Sequence, residues 1–250
     1  NTKVKKSKKF YKNTFLPNSR LNFCENLLSK NTKEKAITFI SENGYREIRN
    51  WNELNKNVKN ISNNFKKLNI KSNDRIAAYM PNIPETVEAF LGTVAIGAIW
   101  SSCSPDFGIN GVIERFSQIK PKILIVTNQY FYNGKKINIL ERIPEIIKKI
   151  PSIKHVIISI YPGQPILKKL PKYRNIKTHY WENIIKENVS KFKLVGSKSF
   201  IYLEISLKFP SLSNIAGFSL FFSPTLSNFI SSPIIIIPAE ATIKKVLNKN

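Results

Sequence analysis

A run of small polar residues is the part of the sequence best suited to binding a ligand. Residues 101–106 read Ser-Ser-Cys-Ser-Pro-Asp and follow an apolar stretch that is typical of a buried strand. Ligands bind at the carboxyl ends of strands in open parallel sheets, so these hydroxyls and the carboxylate of Asp106 predict a binding loop. The same residues also suit a turn that caps a helix expected from Asn110. Residue types alone leave both interpretations open.

Cys103 is the thiol in that segment, and we expect a small buried residue rather than a nucleophile. No histidine is near it in the sequence, and buried thiols are usually unreactive. The chain has two cysteines, Cys24 and Cys103, and two histidines, His155 and His179, at spacings that match no zinc motif. We therefore expect no metal site, no disulfide framework and a reducing, cytoplasmic location.

The net charge is strongly positive, at +24 from 40 lysines and arginines against 16 acidic residues. Such a charge is compatible with binding to nucleic acid or to a membrane surface. Only seven of the 40 are arginines, whereas phosphate and base recognition favours the guanidinium fork. The many asparagines and isoleucines also indicate a biased coding sequence. Polyanion binding, including binding through the lysine-rich first dozen residues, is therefore the weaker interpretation, and no nucleic acid is expected as a partner.

Hydrophobic periodicity predicts alternating strands and helices between Ala36 and Ser159. A hairpin around Gly44 precedes a helix whose apolar positions recur at spacings of three and four. Apolar strands and helices then alternate, which predicts a doubly wound, mostly parallel α/β sheet. The expected strands are 36–41, 74–80, 98–104, 121–127 and 155–159, and the expected helices are 51–68, 84–97, 110–118 and 138–149.

Both ends of the helix over 84–97 have recognisable signals. Pro84 suits the first helical turn, and Glu85 places a carboxylate near the positive end of the helix dipole. Gly97 suits the left-handed conformation in which many helices end, and a small residue there permits close packing on the sheet.

The composition changes near residue 200. Residues 201–250 hold four basic and two acidic side chains, and residues 209–239 carry no charge. That stretch exceeds the about 20 residues that cross a bilayer, although its prolines, asparagines and serines lower its hydropathy. Foreign or frame-shifted sequence, a soluble segment and a membrane segment are the interpretations, in that order of preference. We expect an N-terminal arm and strap at 1–35, an α/β subdomain at 36–200 and a divergent tail at 201–250.

Four blocks of sequence occur in an order and at spacings that are typical of one enzyme family. They are PNSRLNFCENLL (17–28), NDRIAAYMPNIPETVEAFLGTVAIGAIWSSCSPDFG (73–108), ERFSQIKPKILI (114–125) and YFYNGKK (130–136). Together they resemble the adenylate-forming acyl-CoA synthetases, and the segments from residue 98 to 136 have the pattern of acetoacetate–CoA ligases. The resemblance covers about residues 15–159, and it implies the N-terminal half of the synthetase fold.

The resemblance implies a parent reaction in which ATP, acetoacetate and CoA give acetoacetyl-CoA, AMP and diphosphate through an acyl-adenylate, with Mg²⁺. It also implies that the Ser-Pro-Asp loop and the YFYNGKK segment line the CoA channel. By that correspondence Asp106, Tyr132 and Lys135 are candidate CoA-binding residues, and Lys135 is placed for a CoA phosphate. Relatives commonly have arginine where this chain has Tyr132, so the family pattern is not matched at that position.

The residues that perform adenylation in this family are absent from the 250-residue sequence. The family meets the phosphate charge with a Ser/Thr/Gly-rich loop and with a lysine in a mobile C-terminal lid. This chain has nine glycines, no two of them adjacent, and neither GxxxxGK[ST] nor GTTG occurs. We therefore expect a synthetase fragment without catalytic residues that is inactive alone. The alternatives are a non-catalytic module that binds CoA or a polyanion, and a protein tethered to a membrane through 209–239.

Overall fold

The structure is a computed structural model that describes residue 8 and residues 22–186. Strands and helices alternate along this part of the chain. The strands are β1 (Lys35–Ile40), β2 (Arg46–Asn50), β3 (Arg75–Tyr79), β4 (Ile99–Cys103), β5 (Ile123–Thr127), β6 (Gln129–Tyr132), β7 (Lys135–Asn138), β8 (His155–Ser159) and β9 (Lys177–Tyr180). The helices are α1 (Phe23–Leu27), α2 (Trp51–Lys67), α3 (Pro84–Ala95), α4 (Ile109–Ile119), α5 (Ile143–Lys149) and α6 (Trp181–Ile185).

A five-stranded parallel sheet with the order β4-β3-β5-β8-β9 forms the centre of the fold. The chain moves from β3 outward to β4 and then returns past β3 to β5. Right-handed crossovers in opposite directions place their helices on opposite faces of the sheet. Accordingly, α3 packs against α2, whereas α4 packs against α5. The fold is the doubly wound α/β sheet that the sequence predicts.

The periodicity predictions for the first strands and helices are confirmed to within one or two residues. β5 has all five residues buried, as its continuous apolar run predicts for a sheet interior. The antiparallel hairpin of β1 and β2 turns at Gly44, where φ is +81°. The exit from α3 is left-handed as expected, because φ of Gly97 is +72°.

The prediction of a helix over 138–149 is wrong at its start. Residue 138 ends strand β7, which pairs with β6 in an antiparallel hairpin, and a 3₁₀ turn at Leu140–Arg142 leads into α5. The hairpin turn consists of Asn133 and Gly134, with φ of +49° and +70°. Asn-Gly with two positive φ angles is the strongest short hairpin signal, and here it outweighs the helical spacing of the isoleucines that follow.

A fifth parallel strand, β9, extends the sheet beyond the predicted series. Its sequence, Lys-Thr-His-Tyr, is too polar to have been recognised as a strand. Between β8 and β9, Nδ1 of His155 lies 3.1 Å from Nε2 of His179. Burial, together with His179, lowers the pKa of His155 to about 4, so this ring is neutral at pH 7. The short helix α6 then packs on α2 and on the last two strands.

The described part of the N-terminal strap packs on α3. Asn22 caps α1 by accepting hydrogen bonds from the amides of Cys24 and Glu25, and its own amide group donates to the carbonyl of Val94 at 3.2 Å. Cys24 is buried in a small core between α1, α2 and α3, and burial raises its pKa to about 12. Between residues 22 and 186 no helix is long and apolar enough to cross a membrane. The 209–239 segment lies outside the described residues.

Candidate functional site

A group of polar side chains meets at the carboxyl ends of β3, β4 and β5. Tyr79 ends β3 and lies opposite Cys103, the last residue of β4. The residues after β4 form a turn at 104–107, and Tyr130 on β6 follows directly after β5. The strand order reverses here, and doubly wound sheets bind ligands at such a point.

Asp106 is the acceptor at the tip of this 104–107 turn. The hydroxyl of Ser104 donates to Oδ2 of Asp106 at 2.7 Å, and the hydroxyl of Tyr130 donates to Oδ1 at 3.1 Å. Burial, with a contribution from the Asp106 charge, raises the pKa of Tyr130, so its hydroxyl remains a donor at neutral pH. Both carboxylate oxygens are therefore engaged although the side chain of Asp106 is exposed.

The 104–107 turn does not cap the helix that follows it. The N-cap residue of α4 is Gly108, and no side chain accepts a hydrogen bond from the first amides of the helix. Instead, the Ser104 hydroxyl donates to Asp106, and Asp106 also accepts a hydrogen bond from Tyr130. The predicted turn before α4 is present but provides no side-chain cap, and the binding loop stays a prediction.

Two further side chains, which the sequence patterns did not indicate, hold the backbone of the same turn. The hydroxyl of Tyr79 lies 3.0 Å from the carbonyl oxygen of Pro105 and 2.8 Å from that of Phe107. Nη1 of Arg142 donates to the Tyr79 hydroxyl at 2.6 Å and to the Pro105 carbonyl at 2.9 Å. The polar group at this sheet edge thus joins residues from β3, the turn and the 3₁₀ turn before α5.

The hairpin of β6 and β7 presents the other two candidate residues. Tyr132 and Lys135 are paired directly across it, on either side of the Asn-Gly turn. Tyr130 and Tyr132 are two residues apart on β6 and so lie on the same face of the strand. Tyr132 is half-buried and Lys135 is exposed. The hairpin face that reaches Asp106 through Tyr130 therefore also carries Tyr132.

Contacts at its base, its middle and its tip fix this hairpin to the rest of the protein. At its base, Tyr130 bonds to Asp106. In its middle, the ring of Phe131 packs edge-on against Tyr161, with centroids 5.4 Å apart. At its tip, the amide of Gly134 donates to Oε2 of Glu42 at 3.3 Å. A hairpin held at three points presents Tyr132 and Lys135 in a defined position.

The structure thus joins Asp106 to the hairpin through Tyr130, and it shows no hydrogen bond to Asp106 from Tyr132 or Lys135 themselves. Cys103 is buried beside the turn, as predicted, and burial raises the pKa of its thiol, which favours the protonated form. Across the described residues, no three histidine, cysteine, aspartate or glutamate side chains are grouped so that they could hold a metal ion.

A second polar cluster, away from the sheet edge, is buried between β2 and α3. Nη2 of Arg49 lies 3.1 Å from Oε1 of Glu85, and Nε of Arg49 lies 3.2 Å from Oε1 of Glu88. Burial and the neighbouring Glu88 raise the pKa of Glu85 to about 8. Burial therefore favours the protonated form of Glu85, which opposes the helix-dipole charge that its position in the sequence predicted.

Comparison with known proteins defines the class of this chain. The AMP-binding enzyme family matches residues 28–191, which include the whole parallel sheet and the polar group at its edge. The chain therefore belongs to the family of AMP-binding enzymes. Its described fold is the N-terminal part of the adenylate-forming synthetase fold, since 74% of the chain superimposes on the acetoacetyl-CoA synthetase from Streptomyces lividans, with a TM-score of 0.65 and 28% identity.

Within that family the chain is similar to acetoacetyl-CoA synthetases. It is 40% identical over 158 residues to the acetoacetyl-CoA synthetase of Xenopus tropicalis, a region that is 61% of this chain and 24% of that protein. It is also 43% identical over 136 residues to the acetoacetyl-coenzyme A synthetase of Rhizobium meliloti (strain 1021), and this matched region is 54% of this chain and 21% of that protein. The chain thus spans between a fifth and a quarter of these relatives, and 28% of the Streptomyces lividans chain.

Proposed function

We propose that this chain is the N-terminal part of a ligase that joins acetoacetate to CoA. The similarity to acetoacetyl-CoA synthetases from a vertebrate and a bacterium, over the region that holds the polar group, supports this proposal. In the parent reaction ATP, acetoacetate and CoA give acetoacetyl-CoA, AMP and diphosphate. The carboxylate is first activated as an acyl-adenylate, and the CoA thiol then displaces AMP.

The part of the reaction that these residues can serve is the binding of CoA. CoA carries phosphate groups, and an exposed lysine on a fixed hairpin is a suitable partner for one of them. Lys135 has that placement, and Tyr132 lies directly opposite it. Asp106 supports the same surface from the 104–107 turn through its hydrogen bond with Tyr130. These residues fit the phosphorylated part of CoA, whereas the printed sequence offers no loop for the phosphates of ATP or for their Mg²⁺.

Because that loop and the lid lysine are missing from the sequence, the chain alone is expected to be inactive. The purified 250-residue protein, mixed with ATP, Mg²⁺, acetoacetate and CoA, should form no thioester. Thioester formation above the protein-free background would overturn this expectation.

Binding of CoA to the purified chain, measured by isothermal titration calorimetry, tests the site. We expect Lys135→Ala to weaken binding about fivefold, because a charge contact at an exposed site contributes about 1 kcal/mol. Lys136→Ala is the matched control: it removes the same charge from the adjacent residue of β7, whose side chain lies on the opposite face. The affinity of Lys136→Ala for CoA should differ from that of wild type by less than about twofold.

The two variants also separate the proposed site from general attraction by positive charge. Equal loss of affinity in both variants, together with a steep dependence on salt, would favour the polyanion-binding alternative. An unchanged affinity in Lys135→Ala would remove Lys135 from the site.

A further inference from the structure

The 104–107 turn has few hydrogen bonds of its own. Within the turn, the amide of Phe107 donates to the carbonyl of Ser104 at 3.1 Å, and Ser104 bonds to Asp106. Asp106 and Ser104 are at least partly exposed to solvent. Pro105 is buried and the Phe107 ring packs against the core, so these side chains anchor the turn, whereas its carbonyl groups need hydrogen-bond partners from other parts of the protein.

Tyr79 provides a rigid support for those carbonyls. It is completely buried, and its backbone is paired on both sides, opposite Cys103 of β4 and Val126 of β5. From the end of this central strand its hydroxyl reaches the carbonyls of Pro105 and Phe107 at 3.0 and 2.8 Å. A tyrosine hydroxyl has a single proton, so the two carbonyls share it.

Arg142 completes the arrangement from the other side. Its Nη1 donates to the Tyr79 oxygen at 2.6 Å and to the Pro105 carbonyl at 2.9 Å. A guanidinium has no acceptor, so the Tyr79 proton must be directed to the turn and away from Arg142. The positive charge of Arg142 also strengthens both of its hydrogen bonds. Arg142, Tyr79 and the Pro105 carbonyl therefore form a closed triangle of hydrogen bonds.

We propose that Tyr79 and Arg142 act as a clamp that fixes the 104–107 turn and thereby positions Asp106 and its partner Tyr130 before any ligand binds. Both are positioning residues, since they act on the site through the turn. The clamp in the free protein stands on its own geometry, and its consequence for CoA binding rests on the proposed function. Preorganisation of this kind raises the affinity for a ligand, because the turn loses its conformational entropy when the protein folds and not when the ligand binds.

Hydrogen exchange of the turn amides, measured on the full chain without ligand, tests the clamp directly. We expect Tyr79→Phe and Arg142→Met each to accelerate exchange of the Phe107 amide about tenfold, which is the effect of losing one charge-assisted hydrogen bond. Since the two side chains act as one unit, the double variant should exchange no faster than about twice the rate of the faster single variant.

Tyr180→Phe is the matched control, because it removes another tyrosine hydroxyl that donates to a backbone carbonyl, that of Leu167, at 2.8 Å. In the Tyr180→Phe variant, the amides of the 104–107 turn should exchange at the wild-type rate. Arg142 is half-buried and lies outside the sheet, so Arg142→Met keeps the test valid even if Tyr79→Phe loosens the core. Wild-type exchange rates at the turn in Arg142→Met, or multiplicative effects in the double variant, would overturn the clamp.

CoA titrations of the same variants test the consequence for binding. We expect Tyr79→Phe and Arg142→Met each to bind CoA three to ten times more weakly, because the turn loses about one of the hydrogen bonds that order it before CoA binds. If wild type and variants bind CoA equally, the clamp does not serve this site. If the wild-type chain does not bind CoA at all, the proposed function fails, whereas the exchange data still decide whether the clamp exists.

Discussion

Carboxylates of one chemical type have different roles in this protein because their partners differ. Asp106 is exposed and accepts hydrogen bonds from two hydroxyls. Asp74 is buried, which raises its pKa, but hydrogen bonds from the Lys122 ammonium and the Lys71 amide outweigh this effect and lower the pKa. Glu85 is buried next to a second carboxylate, and burial raises its pKa to about 8. Residue type alone therefore does not fix the charge that a carboxyl group carries at neutral pH.

The Glu85 carboxyl leads to a prediction on stability and pH. Its pKa in the folded protein, about 8, lies above the ordinary value of 4.5. The folded state therefore binds the proton more tightly, and stability is lost as pH rises from 4.5 through 8. Relative to wild type, Glu85→Gln should raise stability by less than about 1 kcal/mol at pH 5 and by about 3–4 kcal/mol more than that at pH 8, since one pKa unit corresponds to about 1.4 kcal/mol. Urea unfolding at pH 5, 6.5 and 8 measures this difference.

Arg49→Met provides the contrast within the same cluster. It removes the cation that Glu85 and Glu88 share, and we expect a loss of about 3–5 kcal/mol at pH 8, where uncompensated buried charge is most costly. If the free energy of unfolding changed with pH in the same way for wild type and Glu85→Gln, the raised pKa of Glu85 would be contradicted.

At the residue scale, sequence reasoning proposed Asp106, Tyr132 and Lys135 as CoA-binding residues and missed Tyr79 and Arg142. The proposal came from a polar loop after a strand and from the family resemblance, and it stays a prediction. Tyr79 and Arg142 gave no such signal, because Tyr79 belongs to an apolar strand and Arg142 lies in a segment with helical spacing. Their shared partner, the Pro105 carbonyl, lies 26 and 37 residues away along the chain. Contacts between residues so far apart in the chain form because the strand order brings them together, and they leave no local pattern in the sequence.

At the scale of elements, periodicity predicted the buried strands and the amphipathic helices well. β5 and α2 have strong patterns, an unbroken apolar run and a regular apolar stripe, and both formed as expected. The β6–β7 hairpin and the strand β9 were missed, since strands of four residues are too short to show a clear apolar alternation. The hairpin was nevertheless recognisable from its Asn-Gly turn.

The crossing of α2 and α3 gives a prediction at this scale. A Cβ at Gly92 would lie 2.4 Å from Cγ2 of Ile61, so the two helices approach closely because Gly92 has no side chain. Ser62 also donates to the Gly92 carbonyl at 3.1 Å across this contact. We expect Gly92→Ala to destabilise the protein by about 1–3 kcal/mol in urea unfolding, because the helices must separate or Ile61 must change its rotamer.

Gly111→Ala is the control for that substitution. Gly111 is also in a helix, α4, and the nearest atom to a Cβ there is Cδ1 of Phe107 at an ordinary 3.5 Å. The higher helix propensity of alanine should leave stability unchanged or raise it by up to about 1 kcal/mol. Equal effects of the two substitutions would show that helix propensity, and not the close approach of α2 and α3, governs Gly92.

At the scale of the whole molecule, the proposed function assigns to the described residues the binding of part of CoA rather than a complete active centre. The sheet, the 104–107 turn and the hairpin belong to the region that matches the AMP-binding enzymes. The curated relatives are four to five times longer than the matched region, which covers 24% and 21% of two of them. The proposed ligase activity therefore needs a phosphate loop and a lid lysine that residues 1–250 do not supply.

Sequencing of the coding locus and its transcript, through the codons for residues 197–250 and well beyond, tests the proposed function most directly. Continued reading, or another reading frame, is expected to encode a Ser/Thr/Gly-rich loop shortly after residue 200 and a lysine in a distal lid. A transcript that ends with the codon for Asn250 and encodes neither would contradict the ligase proposal, and a non-catalytic CoA-binding role would then be the one to pursue.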